Sequence, residues 1–330
     1  MTAVLQGFAR AEAWPLREAF VISRSSRTHV DVVYVEVTDG IHVGRGECQP
    51  NTRYDDTPAQ AVAQLTACFE AGVTLETDVQ ALPLSPAAKN GLDCALWDLR
   101  AKRAGVRVWD LLGRAAPKPT ATVFTLSLGT PEAMADAAQR AVADGKTRLK
   151  LKLGGEGDDA RVAAVRAAVP DARLVADANE AWTPDMLVPY LRAMAEAGIE
   201  LLEQPLPAGQ DDALAGLNRP IPLCADESCH TADDVPRLAA KYDMVNIKLD
   251  KCGGLTEALR LETAAQDADM GIFVGCMLGT SLAMAPALIV AATARWVDLD
   301  GVLLLSRDRD HKLAVDAGYH IAAPAPQLWG

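Results

Sequence analysis

From about residue 118 onward, short apolar runs recur near 121–128, 147–153, 173–177, 199–203, 221–225, 243–249, 271–275 and 296–299. The stretches between them carry helical spacing. Strand-length runs alternating with helix-length stretches predict about eight strands with seven helices between them, a (β/α)7β barrel. Thr130-Pro131 and Thr183-Pro184 read as N-caps followed by proline at the first helical position, where its missing N–H costs nothing. A doubly wound sheet would alternate in the same way, but it would gather its site at one switch point. Here polar residues end strand after strand. The first 117 residues follow another rhythm. VDVVYVEVTDGIHVGRGE alternates apolar and polar positions around Asp39-Gly40, as an antiparallel hairpin does. Residues 57–71 and 86–105 then carry helical spacing, the second stopped by Gly105. Strands followed by helices, without alternation, predict a separate α+β domain over 1–117, with the barrel over 118–311. The tail, 312–330, is expected to pack back on the first domain.

Charged side chains end the barrel runs. They are Lys150 and Lys152 in RLKLKLGG, Asp177 in LVADAN, Glu203 in LLEQP, Asp226 in LCADES and Lys248 in VNIKLDKCGG. Asp177 and Glu203 are 26 residues apart, Glu203 and Asp226 23. Each interval is about one strand, one helix and two short loops, and in β/α barrels the C-terminal strand ends carry the chemistry. Lys150 and Lys152 are two apart and point the same way, with Leu149, Leu151 and Leu153 turned to the helices. Their repulsion and a nearby metal are expected to lower the pKa of one of them, fitting it to act as a base. Hard oxygen donors such as Asp177, Glu203 and Asp226 suit Mg²⁺, with Asn179 and Glu227 beside them as supporting partners. Singly, each residue has a plainer reading, a solvated basic strand end or an acid capping the next helix. Three acids in successive units, in phase with lysines on both sides, favour a metal site. Counting strands puts Lys152 on the second and Lys248 on the sixth, across the barrel from each other. Two bases so placed can take a proton from one face of a carbon and return it to the other. Lys251, ahead of a Gly-Gly turn, is expected to stay out of the centre. Asp298 and Asp300 in WVDLDG share a face and could bind a substrate ammonium; the plain alternative is an acidic turn.

The 330 residues, half of them hydrophobic, suffice for a barrel and a smaller domain. A net charge of −12 disfavours nucleic acid and anionic membrane as partners, while a small anion remains compatible with the local lysines. No run approaches the roughly 18 apolar residues of a membrane span. The opening MTAVLQGFARAEAW lacks the basic head and apolar stretch of a signal peptide, so a cytoplasmic location is expected. Seven cysteines without a CxxC pair argue against a disulfide framework or zinc knuckle; Cys94, Cys224 and Cys276 read as small core residues. The five histidines receive no catalytic role. A homo-oligomer is compatible with such a barrel.

The K-x-K of Lys150 to Lys152, the Asp177, Glu203, Asp226 series and the K-x-x-K-x-G-G from Lys248 resemble the enolase superfamily, in its muconate-lactonising subgroup. EAWPL, GECQP, DANEAW, LEQPLPA, ADESCHT, MVNIKLDKCGGLTEAL and GCMLGTS resemble the dipeptide epimerases within it, above all those acting on L-Ala-D/L-Glu. The resemblance covers nearly the whole chain. It implies a TIM-like (β/α)7β barrel with an N-terminal α+β capping domain, and Mg²⁺ on Asp177, Glu203 and Asp226. It further implies a two-base 1,1-proton transfer between Lys152 and Lys248 through an enediolate, with Lys150 binding the substrate and stabilising the developing charge. Asp298 and Asp300 would hold the dipeptide ammonium. Arg24, in ISRSSR, would pair with the glutamate side-chain carboxylate, a role that suits a bidentate guanidinium. The segments ECQPNTRYDD and VLLLSRDRDHKLAV depart from the family phrases, which leaves side-chain preference open. The rivals are N-succinylamino acid racemisation, o-succinylbenzoate synthesis or muconate cycloisomerisation on the same scaffold, a Schiff-base aldolase using one lysine, and a non-catalytic peptide-binding barrel.

Overall fold

The structure is a computed structural model that describes residues 3–22 and 25–330. Strands β1 (Gln6–Ile22), β2 (Ser25–Thr38) and β3 (Val43–Cys48) form an antiparallel sheet in that order. The expected hairpin is β2–β3. Its turn has Gly40 at φ 89°, and the Asp39 carboxylate accepts from the N–H groups of Ile41 and His42. The long β1 was not foreseen. Its side chains alternate between exposed and half-buried, with few large apolar residues to mark the period. Helices α1 (Pro58–Ala71) and α2 (Pro86–Ala104) cover one face, packing Leu65, Leu92, Leu96 and Leu99 on Val33, Val35 and Val37. Gly44 and Gly46 permit that contact, because a Cβ on them would come within 2.2 Å of Ala95 O and 2.0 Å of Gly91 O. The other face of β2, with Val30 and Val32, meets Leu16 and Leu305.

After the short α3 (Val108–Leu111), β4 (Thr120–Ala121) pairs with the last strand, β13 (His320–Ile321). Between them lie eight parallel strands, each bonded to the next: β5 (Phe124–Leu126), β6 (Arg148–Lys152), β7 (Arg173–Asp177), β8 (Ile199–Glu203), β9 (Leu223–Ala225), β10 (Met244–Ile247), β11 (Gly271–Gly275) and β12 (Trp296–Asp298). Val123 N–H donates to Val297 O at 2.9 Å, and Leu299 N–H to Thr122 Oγ1 at 2.9 Å, drawing the first and last strands together. The eight apolar runs thus each yield a strand.

Outside the barrel run α4 (Pro131–Ala143), α5 (Asp158–Ala168), α6 (Leu187–Glu196), α7 (Val235–Leu238), α8 (Leu249–Cys252), α9 (Leu255–Asp267), α10 (Ser281–Ala291) and α11 (Gly301–Leu304). Among the described residues, six of the seven strand-to-strand connections carry an α-helix, with two in β10–β11 (α8 and α9) and none in β8–β9. The β8–β9 connection carries a 3-10 turn, Asp212–Leu214, because Pro205, Pro207, Pro220 and Pro222 with Gly209 and Gly216 leave no helical stretch. Thr130 does cap α4 through Ala133 N–H. Thr183 does not cap; its hydroxyl donates to Asp185, and a 3-10 turn at Pro184–Met186 leads into α6. Leu149, Leu151 and Leu153 face the helix layer. Val123, Val175, Leu201, Cys224, Met244, Phe273 and Trp296 form a separate apolar layer inside the barrel.

Buried polar contacts join the two parts. The Glu47 carboxylate accepts from Thr280 N–H (2.7 Å) and from Arg309 (2.7 Å), and Asp250 accepts from Gln49 N–H (2.9 Å) and Asn90 Nδ2 (2.8 Å). In the tail, Trp329 Nε1 donates to Cys94 O and Gly330 N–H to Asp98.

Candidate active site

Parallel register builds the site. Lys152 on β6 neighbours Asp177 on β7, which neighbours Glu203 on β8. All three end their strands and point inward. Asp226 follows β9 and Lys248 follows β10, while Asp298 ends β12 opposite Gly275. In the strand order, β6 and β10 are four strands apart in a ring of eight, so Lys152 and Lys248 rise from opposite walls.

The side chains converge into one buried charge cluster. Lys150 Nζ lies 2.6 Å from Glu203 Oε2, 2.9 Å from Asp298 Oδ2 and 3.2 Å from Asp177 Oδ2. Lys152 Nζ is 2.6 Å from Asp177 Oδ2, and Lys248 Nζ is 2.6 Å from Asp226 Oδ2. Asn246 Nδ2 donates to Glu203 Oε1 at 2.7 Å. The anticipated lowering of a lysine pKa is not found for Lys150. Burial opposes its charge, but Asp298, Glu203 and Asp177 more than offset that and hold the ammonium well above its ordinary value. Lys248 is held up in the same way, with Asp226 and Glu203 outweighing burial.

The carboxyls divide. Burial alone would raise Asp177 and Asp226, yet Lys152 and Lys150 hold Asp177 down, and Lys248 and Lys251 hold Asp226 well below the usual range. Burial, reinforced by the Asp177 charge, pushes Glu203 up to about 8, and burial with Asp298 pushes Asp300 up to about 8. The folded metal-free protein therefore keeps protons on Glu203 and Asp300 that the unfolded chain has released. Its stability falls as pH rises from about 4.5 to about 8. The depressed Asp177 and Asp226 act in the opposite sense, losing their contribution below about 3.8, outside that window. Melting in a chelator between pH 5 and 9 is expected to show a falling Tm. Saturating Mg²⁺ should flatten the profile, because it favours the ionised carboxylates; a flat profile in chelator would contradict the assignment.

One carboxylate oxygen each from Asp177, Glu203 and Asp226 lies within 4.8 Å of the others, all three buried. An all-oxygen donor set fits a hard divalent cation, whose charge would favour the ionised form of Glu203.

A cleft opens above the cluster, lined by Lys150, Lys152, Lys248, Asp226, Asp298 and Asp300. Asn179 donates to Glu227 at 3.4 Å, and both line the wall. Asn179, Glu180 and Gln204, just past the ends of β7 and β8, have φ of 45°, 66° and 34°, a backbone cost that tends to gather at functional sites. Asp300 accepts from Thr125 N–H at 2.6 Å, while Asp298 Oδ1 has no hydrogen-bond partner among the described residues. Arg24 lies outside the described residues.

Other site residues had no role in the sequence reading. Phe20 and Ile22 of β1, Arg27 of β2, and Gln49, Arg53 and Tyr54 bring the first domain onto the cleft, facing Met277 and Leu278. Arg53 makes a bidentate pair with Glu180 at 2.9 and 2.8 Å; Arg27 has no acidic partner among the described residues. No period or spacing marks these positions, because a tertiary contact brings them in. Gly275 has a readable reason only in three dimensions. A Cβ there would come within 2.9 Å of Lys248 Cε, so glycine makes room for that side chain. Lys251 was expected to stay out, yet its Nζ sits 2.6 Å from Asp226 Oδ1, because the α8 turn folds it under the cluster. Cys276 is half-buried in the cleft wall, whereas Cys94 and Cys224 are core residues as expected.

Two family models together cover most of the chain. Residues 5–113 match the mandelate racemase/muconate lactonizing enzyme N-terminal domain, and 133–325 match the enolase C-terminal domain-like model. The chain belongs to this enolase-superfamily group. It is 44% identical over 310 residues to the L-Ala-D/L-Glu epimerase of Escherichia coli K12, covering 93% of this chain and 96% of that one. It is 40% identical to an N-acetyl-D-glutamate racemase of Pseudoalteromonas, over 91% and 95%. An enolase family member from Agrobacterium tumefaciens with homology to dipeptide epimerases, bound to sodium and L-Ala-L-Glu, superposes with a TM-score of 0.94 at 44% identity, over 99% and 100%. A dipeptide epimerase from Methylococcus capsulatus, complexed with Mg and L-Arg-D-Lys, superposes at 0.91 and 31% identity, over 99% of each chain. The epimerases and the racemase among these relatives are isomerases of amino acid derivatives. No helix among the described residues is long and apolar enough to cross a membrane.

Proposed function

We propose that this chain is a Mg²⁺-dependent dipeptide epimerase that inverts the C-terminal residue of L-Ala-L-Glu and L-Ala-D-Glu. The observation that carries the reading is the pair of lysines, Lys152 and Lys248, rising from opposite barrel walls beside a buried Asp177, Glu203, Asp226 set. Those three carboxylates would hold the cation, which when bound supplies the positive charge that acidifies the carbon next to the substrate carboxylate. With the charges of Asp226 and Glu203 taken up by the cation, Lys248 is no longer held protonated by them, so Lys152 or Lys248 in its neutral form removes the α-proton from its own side, and the opposite lysine, as ammonium, returns one to the other face. Lys150, the most enclosed of the three lysines, stays protonated and donates to the carboxylate oxygens as negative charge grows there. Asp298 and Asp300 receive the dipeptide ammonium. Arg24, as the family resemblance implies, receives the glutamate side-chain carboxylate, with Arg27 in the cleft wall as a second candidate. The first domain closes the cleft against water, which would screen these charges. A small dipeptide, not a polyanion, is the partner that a chain of net charge −12 admits. Seven free cysteines accord with a reducing, cytoplasmic setting.

A second reading, racemisation of an N-acyl glutamate, draws support from the Pseudoalteromonas relative. The two differ at the substrate nitrogen, since an amide has no charge to place against Asp298 and Asp300. Proton NMR in D₂O with Mg²⁺ tests both. Loss of the glutamate α-proton of L-Ala-L-Glu, with growth of the L-Ala-D-Glu signals, is the expected result. Exchange confined to N-acetyl-glutamate would replace the first reading with the second. Asp298→Asn sharpens the comparison. A charged hydrogen bond contributes about 1.5–3 kcal/mol, so KM for L-Ala-L-Glu is expected to rise roughly 10- to 100-fold. An effect transmitted through Lys150 would impair N-acetyl-glutamate as well; loss of the ammonium contact would not.

A further inference from the structure

Lys251 lies on α8, three residues beyond Lys248, and is buried, with 2% of its surface exposed. Its ammonium has four oxygen neighbours. One is Asp226 Oδ1 at 2.6 Å. The others are main-chain carbonyls, Cys229 O at 3.0 Å, Asn246 O at 3.1 Å and Asp226 O. Three ammonium protons are fully used by such a set. A buried charge without this satisfaction would cost several kcal/mol, so the arrangement is specific to lysine at this position.

Asp226 needs an external support. Strand β9 is three residues long, and only two of them pair with β10. The carboxylate stands just beyond the strand end, on backbone that its neighbours do not hold in a ladder. Lys251 ties the loop from Asp226 to Cys229 to the end of β10 at Asn246. It also occupies Oδ1, so that Oδ2 is the oxygen turned to Lys248. Lys251 does not line the cleft, whereas Asp226 and Lys248 do. It therefore meets no substrate.

We propose that Lys251 is a positioning residue for the cation site: from behind Asp226 it fixes the plane of that carboxylate, so that one oxygen faces Asp177 and Glu203. The inference rests on the reading of these three acids as Mg²⁺ ligands. Removing a group that orients a ligand costs 10- to 100-fold in metal affinity in comparable sites.

The experiment is a calorimetric Mg²⁺ titration of the full-length protein and of Lys251→Met, Lys251→Gln and Lys251→Arg, with thermal melts in chelator alongside. The wild type comes first. If it binds no Mg²⁺, the ligand assignment has failed, independently of Lys251. Given wild-type binding, Lys251→Met is expected to raise the Mg²⁺ Kd by about 10- to 100-fold. At saturating Mg²⁺ the KM for L-Ala-L-Glu should stay within a few-fold, since Lys251 lies outside the cleft. Lys251→Gln, which retains amide donors for the carbonyls but no charge for Asp226, should remain impaired. A merely structural lysine would lower the melting temperature and leave the Kd of the folded protein unchanged; that outcome overturns the proposal. So does failure of all three variants to fold with Mg²⁺ present, which would make Lys251 a folding element.

Discussion

Lys248→Ala is expected to abolish epimerisation while leaving α-proton exchange into D₂O from one epimer only, with Lys152→Ala showing the reverse preference. Positioned acid–base groups contribute about 10²- to 10⁴-fold, so each variant should lose at least that much turnover. The asymmetry follows from the fold. Lys152 stands on β6 and Lys248 just after β10, four strands away, so each can reach one face of a carbon held between them. With one lysine gone, the other still takes the proton on its own side and returns deuterium to the same face. Exchange without inversion is the signature, read by NMR from each pure epimer. Equal loss of exchange from both epimers in a folded, metal-loaded variant would refute the division of labour. Gly275→Ala should resemble Lys248→Ala in direction, since a methyl there crowds Lys248 Cε.

Glu203→Gln is expected to remove activity by about 10³-fold or more, because a cation that stabilises growing negative charge contributes several kcal/mol and each 1.36 kcal/mol is tenfold. The same substitution separates metal binding from folding. Glu203 is a buried acid whose pKa sits near 8 in the folded protein, so its ionisation works against the fold as pH rises. Glutamine cannot ionise. At pH 9 in chelator the variant should melt no lower than the wild type, and Mg²⁺ should raise its melting temperature little. A variant stabilised by Mg²⁺ as strongly as the wild type would exclude Glu203 as a ligand.

The barrel was legible because each strand is a short apolar run, six of the eight with a charged residue at or just past the end, and a period of two separates Lys150 and Lys152 from Leu149 and Leu151. Asp177, Glu203 and Asp226 announce themselves by even spacing, which parallel register converts into adjacency. Strand β1 was not legible. Its residues face partly to solvent on both sides, and the alternation in ARAEA rests on alanines, too small to mark a buried face. The missing helix between β8 and β9 had a visible signal in its prolines and glycines, hidden by the expectation of a regular repeat. Lys251 was misjudged for a different reason. A Gly-Gly turn after it suggested that it stays out of the centre, but α8 doubles the chain back, and burial of that lysine depends on carbonyls of the Asp226–Cys229 loop and of Asn246. Arg27, Arg53 and Tyr54 reach the cleft only because the first domain docks on the barrel mouth. That docking depends on pairs such as Glu47 with Thr280, 233 residues apart.

The apolar layer of Val123, Val175, Leu201, Cys224, Met244, Phe273 and Trp296 closes the barrel axis beneath the charge cluster. Asp177 and Glu203 do not themselves line the cleft; they are reached past Lys150, Lys152 and Asp226. Cation and dipeptide must therefore share one doorway, with the cation travelling farther in. Loading is then ordered, ion before dipeptide, and a bound dipeptide acts as a stopper. Chelators should strip the resting enzyme quickly and the substrate-saturated enzyme slowly, with the rate of ion loss set by how often the dipeptide leaves.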